Sequence, residues 1–187
     1  MAGRVCPVWV GYLLASPVRK LLENPEKILS PYVKQDMKVL DAGSAMGFFS
    51  LPLARMVGPN GKVICVDMQE KMIQSLKKRA RKAGLSDRIE LHTCNQKSLC
   101  LDELKEKIDF ALASAVVHEV TDASSFFSEI YEGIKLGGKF LVIEPKGHVT
   151  EKDFEVSTSV AVKIGFSVID NPKIPRSRSV LFEKDRC

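Results

Sequence analysis

No two of the five cysteines, at positions 6, 65, 94, 100 and 187, stand in C-x-x-C spacing. Their odd number argues against a disulfide framework and their spacing suggests no zinc ribbon, so a reducing compartment fits best. Long hydrophobic runs are also missing. The early apolar stretch Val8 to Ala15 is broken by Ser16 and Pro17 and is far too short to span a bilayer. A signal peptide would want a charged start and a longer apolar region, so the sequence predicts a cytoplasmic protein with no integral membrane association. There is no internal repeat or low-complexity run, and disorder is not expected outside the tails. Nor is there a large excess of one charge: 28 Lys and Arg against 23 Asp and Glu give a formal net charge of +5. That is too mild to imply a nucleic-acid partner without a clear patch.

What is present is enough apolar residue for one core in 187 residues, and one domain is expected, with residues 1–30 as an N-terminal helical segment or lid and 31–187 as an α/β core. The stretch Met37 to Ser50, MKVLDAGSAMGFFS, changes from strand to glycine-bearing turn to helix within fourteen positions. Val39 and Leu40 give a short apolar strand, Gly43 and Gly47 let the backbone turn and approach a ligand, and a helical pattern begins at Phe49. Glycine turns of this kind also occur for purely structural reasons. The next strand, Lys62 to Asp67 (KVICVD), ends in a carboxylate 26 positions after Asp41. In βαβ nucleotide sites an acidic residue about twenty positions beyond the glycine turn accepts hydrogen bonds from sugar hydroxyls.

Along the rest of the chain, strands and helices alternate. A helix from about Gln69 to Ala83 buries Met72, Leu76 and Ala80 and stops at Gly84, while its run Lys77 to Lys82 reads as a solvated outer face. Arg88 to Cys94 and Asp109 to Val117 read as the third and fourth strands, and Phe126, Phe127, Ile130, Tyr131 and Ile134 as one helix face ended by Gly137 and Gly138. Lys139 to Glu144 is the fifth strand, Phe154 to Gly165 the last helix, and Phe166 to Asp170 with Ser179 to Glu183 two closing strands. The pattern predicts a doubly wound α/β sheet of seven strands. Before it, Trp9, Tyr12 and neighbouring apolar residues suggest a helical segment that either packs on the domain or covers the ligand as a lid.

DAGSAMG in Asp41 to Gly47 and VICVDM in Val63 to Met68 resemble the first two motifs of class I S-adenosylmethionine-dependent methyltransferases, whose usual first motif is D/E-x-G-x-G-x-G. The sequence departs from it at Ala45, where an added methyl is expected to narrow the cleft. From Leu29 onward, AVVHEV (115–120), LGGK (136–139) and EPKGHV (144–149) look like the later motifs of small, stand-alone microbial members distantly similar to the ubiquinone/menaquinone C-methyltransferases. The resemblance implies a mostly parallel seven-stranded sheet with its last strand antiparallel, and S-adenosylmethionine as cofactor. It implies Asp41, Gly43, Ser44, Ala45 and Gly47 around the methionine end and Asp67 on the ribose. Met68 would lie against adenine, Asn95 or Gln96 at its amino edge, and Ala113 to Ala115 beside the sulfonium.

Methyl transfer from a sulfonium needs alignment in a water-poor pocket rather than a nucleophilic residue, and a base only where the acceptor must lose a proton. His118 has a suitable ordinary pKa, with Glu119 and Glu144 as further candidates; a histidine closing a strand by a backbone hydrogen bond would look the same in sequence. His118, Glu119, Glu144 and His148 could supply metal ligands, but their spacing fixes no centre, and no metal is expected. The expected function is a methyltransferase for a small-molecule acceptor. Alternatives are a regulatory protein that binds S-adenosylmethionine without catalysis, a metalloid methyltransferase using Cys94 and Cys6, and, against the glycine spacing, a nicotinamide oxidoreductase.

Overall fold

The computed structural model describes residues 23–185, so the N-terminal segment with Trp9, Tyr12 and Cys6 lies outside the described residues. Seven strands form one sheet in the order β3-β2-β1-β4-β5-β7-β6. The chain clusters into two compact units, residues 23–94 and 95–185. Among the described residues no helix is long and apolar enough to cross a membrane.

The first unit opens with a short helix α1, Pro25–Leu29, whose N-cap Asn24 accepts the Lys27 N–H, with Pro25 in the first turn, where its missing N–H costs nothing. Strands β1 (Lys38–Ala42), β2 (Lys62–Asp67) and β3 (Ile89–Thr93) pair in parallel, β2 between the other two. Val39, Leu40, Val63, Ile64 and Val66 are buried, as continuous apolar strands of a parallel sheet must be. Between them run α2 (Ser50–Met56) and α3 (Glu70–Lys82). Met72, Ile73, Leu76 and Ala80 recur at helical spacing on the buried stripe of α3, and six of its nine other residues are cations.

The second unit carries β4 (Ile108–Ser114), α4 (Ala123–Gly133), β5 (Ile134–Pro145), α5 (Glu151–Ile164), β6 (Phe166–Asp170) and β7 (Ser177–Lys184). β4 and β5 are parallel, and β7 is antiparallel to both β5 and β6. Phe127, Phe140, Phe166 and Phe182 fill this core, with tilted and edge-on ring contacts at centroid separations of 5.5 to 6.5 Å. Lys184 is buried beside them, its ammonium donating to the Tyr131 and Ile134 carbonyls at 2.9 Å each where α4 ends.

Several boundaries differ from the sequence expectation: the last helix begins at Glu151 rather than Phe154, the closing strand spans Ser177–Lys184, and two further differences have a clear cause. The fourth strand stops at Ser114 rather than Val117, because Ala115 takes a left-handed φ of 55° and the chain then winds into a 3₁₀ turn over Val117–Glu119. Helix α4 ends at Gly133 rather than at Gly137 and Gly138. Ile134, expected on the helix face, already pairs with Ile108 as the first residue of β5, and Gly137 lies in a bulge where the β4–β5 register shifts.

Candidate functional site

At the carboxyl end of β1 the chain reverses through residues 43–47. Gly43 and Gly47 have φ of 78° and 83°, and the Gly43 and Ser44 N–H groups both donate to the Val66 carbonyl. A Cβ at Gly47 would lie 2.3 Å from Leu76 Cδ1, so α3 packs against this turn at a distance only glycine permits. Ala45, also at positive φ (45°), turns its N–H to Asp67 Oδ2 at 2.9 Å, and the Gln69 N–H donates to Asp67 Oδ1 at 2.8 Å. The Arg79 guanidinium donates to the Met46 carbonyl and ties α3 to the same turn.

Behind the turn, Asp41 is 2% exposed and accepts the Ser50 hydroxyl at 2.5 Å. Burial pushes its carboxyl up to about 7, Ser50 opposes this, and the Asp67 charge adds to it. Burial also raises Asp67, against the two backbone N–H groups that hold its charged form. Asp67, unlike the fully buried Asp41, is partly open. An ionised carboxylate offers about four acceptor positions and two are occupied, so a diol can still be held. The buried Ser44 hydroxyl has no hydrogen-bond partner. An orphaned polar group in a turn that glycine keeps open is what a polar ligand at this edge would satisfy, so these residues fit an adenosyl cofactor.

Met68 is half-buried after Asp67, and Ala113 is fully buried near the end of β4. Asn95 and Gln96 are exposed. The Asn95 amide oxygen accepts the Lys97 and Ser98 N–H groups, which leaves its NH₂ as the end turned to other partners, and the Gln96 carbonyl accepts the Thr121 hydroxyl.

In the second unit, Glu144 ends the buried part of β5 at 2% exposure. Its Oε1 accepts the Val116 and Val117 N–H groups at 3.1 and 2.8 Å, and its Oε2 lies 2.5 Å from His118 Nδ1. That contact fixes the imidazole with Nδ1 toward the carboxylate and Nε2 left over. The Glu144 hydrogen bond is the main cause that raises the His118 pKa, with further charge from Glu144 and Glu119, while burial opposes it. The His148 ring stands edge-on to His118, centroids 5.8 Å apart. Beside the pair is a cavity of about 320 Å³ bounded by β5, β7 and α5. Glu119 is half-buried in the 3₁₀ turn. Among the described residues no group of three or more His, Cys, Asp or Glu is placed to hold a metal ion.

The sequence pattern places Arg79 in a solvated run and does not single out Ser50, yet both hold the turn or the carboxylate behind it. Periodicity isolates Arg79, which lies three positions after the buried Leu76 and seven after Met72; nothing local marks Ser50.

The sheet order and the antiparallel β7 define the class I methyltransferase fold. The family model described as "Methyltransferase domain" matches residues 33–181, and the chain belongs to that family. It is 28% identical over 112 residues, 60% of its length, to the ubiquinone/menaquinone biosynthesis C-methyltransferase UbiE of Pasteurella multocida, covering 41% of that protein. The corresponding protein of Hahella chejuensis is 26% identical over 140 residues, 73% of this chain and 55% of that one. The chain thus spans about half the length of these curated relatives. A crystal structure of a SAM-dependent methyltransferase from Aquifex aeolicus superposes with a TM-score of 0.85 at 24% identity, over 96% of this chain and all of that one.

Proposed function

We propose that the protein is an S-adenosylmethionine-dependent methyltransferase acting on a small-molecule acceptor, with His118 as general base and Glu144 as its positioning partner. The observation that carries this reading is the Asp67 carboxylate, tied by the Ala45 N–H to the Gly43–Gly47 turn with acceptor capacity left for a ribose diol. When bound, the cofactor supplies an electrophilic methyl group on a sulfonium.

The chain's own residues bind and orient. Asp67 accepts the ribose hydroxyls, the open turn lets backbone approach the methionine portion, Met68 packs on the adenine, and the Asn95 NH₂ meets its edge. Glu144 is spent on two backbone N–H groups and a histidine, so it acts through His118 rather than on the acceptor. With Nδ1–H donating to that carboxylate, Nε2 accepts a proton, and the imidazolium that forms is stabilised by its partner. A small acceptor suits a chain with no nucleic-acid motif and a mild net charge. Calorimetry with S-adenosylmethionine and S-adenosylhomocysteine tests the reading: binding of both is expected, and no heat from either at millimolar ligand would remove it.

A further inference from the structure

Helix α5 buries Ala161 and turns Phe154 to the cavity but leaves other apolar residues outside. Val156 and Val162 are 58% and 47% exposed, while Ser157 and Thr158 line the cavity facing the sheet. Both inward hydroxyls are consumed within the helix, Ser157 on the Asp153 carbonyl at 3.1 Å and Thr158 on the Phe154 carbonyl at 2.9 Å. They therefore contribute little polarity and much empty space. A core helix with leucine or valine at these two positions would close the gap and gain buried apolar area. The cavity that results has Phe127, Val142, Val180 and Phe182 as its inner wall and His118 and His148 on its polar side.

The volume decides what fits. About 320 Å³ is the space of roughly ten liquid waters and sits at the low end for ligand sites. It encloses a one- or two-ring body, and a long hydrocarbon tail would have to lie outside it. A second observation concerns charge. In the β5–β7 ladder Arg178 stands directly opposite Glu144, so both side chains leave the same face of the sheet. Arg178 Nη1 is buried and finds no hydrogen-bond partner. A buried guanidinium N–H without an acceptor, on the same sheet face as the Glu144 that holds His118, calls for an oxyanion.

We propose that this cavity is the acceptor site and that it takes a compact aromatic molecule bearing one acidic hydroxyl, a phenol or enol without a long side chain. The inference rests on the methyltransferase reading above, and it goes further by naming the acceptor class. The binding step balances simply. The hydroxyl proton passes to His118 Nε2, the oxygen keeps the electron pair of the O–H bond, and the His118 imidazolium beside the Glu144 carboxylate is left facing the new oxyanion. Arg178 supplies the remaining positive charge. Glu119, His148 and Asp153 are the other titratable groups near the pair or lining the cavity.

The test uses 4-nitrophenol, whose phenolate absorbs at longer wavelength than the phenol, with nitrobenzene as the same body without the hydroxyl. Added to the full-length protein without cofactor, 4-nitrophenol is expected to bind with its spectrum moved toward the phenolate at a pH where the free compound is mostly phenol. Nitrobenzene is expected to bind at least tenfold more weakly. Thr158→Phe, which fills the cavity, should abolish 4-nitrophenol binding while calorimetry with S-adenosylhomocysteine and the melting curve stay as in the parent; Ser157→Leu serves if that variant does not fold. His118→Gln should retain the ring but lose the spectral change, and Arg178→Met should weaken that change with partial rescue by Arg178→Lys. Absence of 4-nitrophenol binding in the parent, unaltered binding in the filled-cavity variant, or an intact spectral change in His118→Gln would each overturn the proposal. S-adenosylhomocysteine binding alongside such a failure leaves the methyltransferase reading standing, because the cofactor is measured separately.

Discussion

Asp67→Ala is the substitution from which the cofactor assignment has most to lose. The carboxylate already serves the Ala45 and Gln69 N–H groups, so its remaining lone pairs are what a ribose diol would use. Hydrogen bonds to a charged group contribute about 1.5 to 3 kcal/mol, and each 1.4 kcal/mol is tenfold in affinity, so the dissociation constant for S-adenosylhomocysteine should rise about 10- to 150-fold. The same change releases the Ala45 N–H, which should cost roughly 1 kcal/mol of stability where water takes over part of its bonding. Asp67→Asn separates the two effects. It keeps the shape and one acceptor oxygen, so affinity should order as parent, then Asn, then Ala. Because burial raises the Asp67 pKa, affinity should also fall on the acid side at a pH above the usual carboxylate range, as the accepting form is lost. Calorimetry on each variant, with a melting curve to establish folding, reads all of this. A folded Asp67→Ala protein that binds S-adenosylhomocysteine within twofold of the parent would refute the assignment of β2's last residue to the ribose.

Three further perturbations follow from the same geometry. Asp41 has its carboxyl raised from 3.8 to about 7 by burial, so the folded state holds the extra proton between those values and this group's contribution declines as pH rises across them, by about 4 kcal/mol in all; Asp41→Asn, which can still accept from Ser50, should gain on the parent more at pH 8 than at pH 5 in urea unfolding, and equal margins would contradict it. Glu144→Ala orphans the Val116 and Val117 N–H groups and should cost about 2 to 5 kcal/mol, whereas Glu144→Gln keeps an oxygen for them but cannot accept from His118 Nδ1–H. Since the raised His118 pKa stabilises the fold below its unfolded value and fades as pH rises through the folded one, that pH dependence should vanish in Glu144→Gln, with the imidazole titrating lower by NMR; an unmoved titration would dismiss the pair. Gly47→Ala meets Leu76 at 2.3 Å in addition to its left-handed φ, while Gly84→Ala at φ 67° meets nothing within 4 Å, so denaturant midpoints should give about 1 kcal/mol for Gly84→Ala and clearly more for Gly47→Ala; equal losses would mean the turn yields freely.

The fold was legible wherever burial on two faces forces an uninterrupted apolar run. KVICVD from Lys62 to Asp67, with four consecutive buried residues, is bounded to the residue; FSVID from Phe166 to Asp170 is too, but as an edge strand with Val168 and Ile169 exposed, so there Gly165 and the polar break at Asn171 mark the ends rather than burial. The misses lie where backbone geometry departs from the regular periods. Ile134 fits the helical stripe of Phe127 and Ile130 as well as it fits a strand, and only its pairing with Ile108 decides the matter. Val116 and Val117 continue an apolar run that Ala115 has already bent away. Sequence patterns report which side of an element is buried; they do not report a residue at positive φ unless it is glycine.

That limit explains how Ala45 looked from the sequence. Read as a glycine replaced, it stands for a methyl that narrows the cleft. Yet what the turn uses at this position is the backbone N–H, directed to Asp67 Oδ2 at 2.9 Å, and alanine has that group as fully as glycine does. The cost that remains is conformational, about 1 to 2 kcal/mol for a Cβ at φ 45°. It is offset by a hydrogen bond to a carboxylate and by the Arg79 guanidinium holding the next carbonyl. What the motif requires thus differs from what it usually contains. Gly47 is required, because Leu76 occupies the space a side chain would need, whereas at 45 the requirement is a donor at the right angle, which the sequence alone could not reveal.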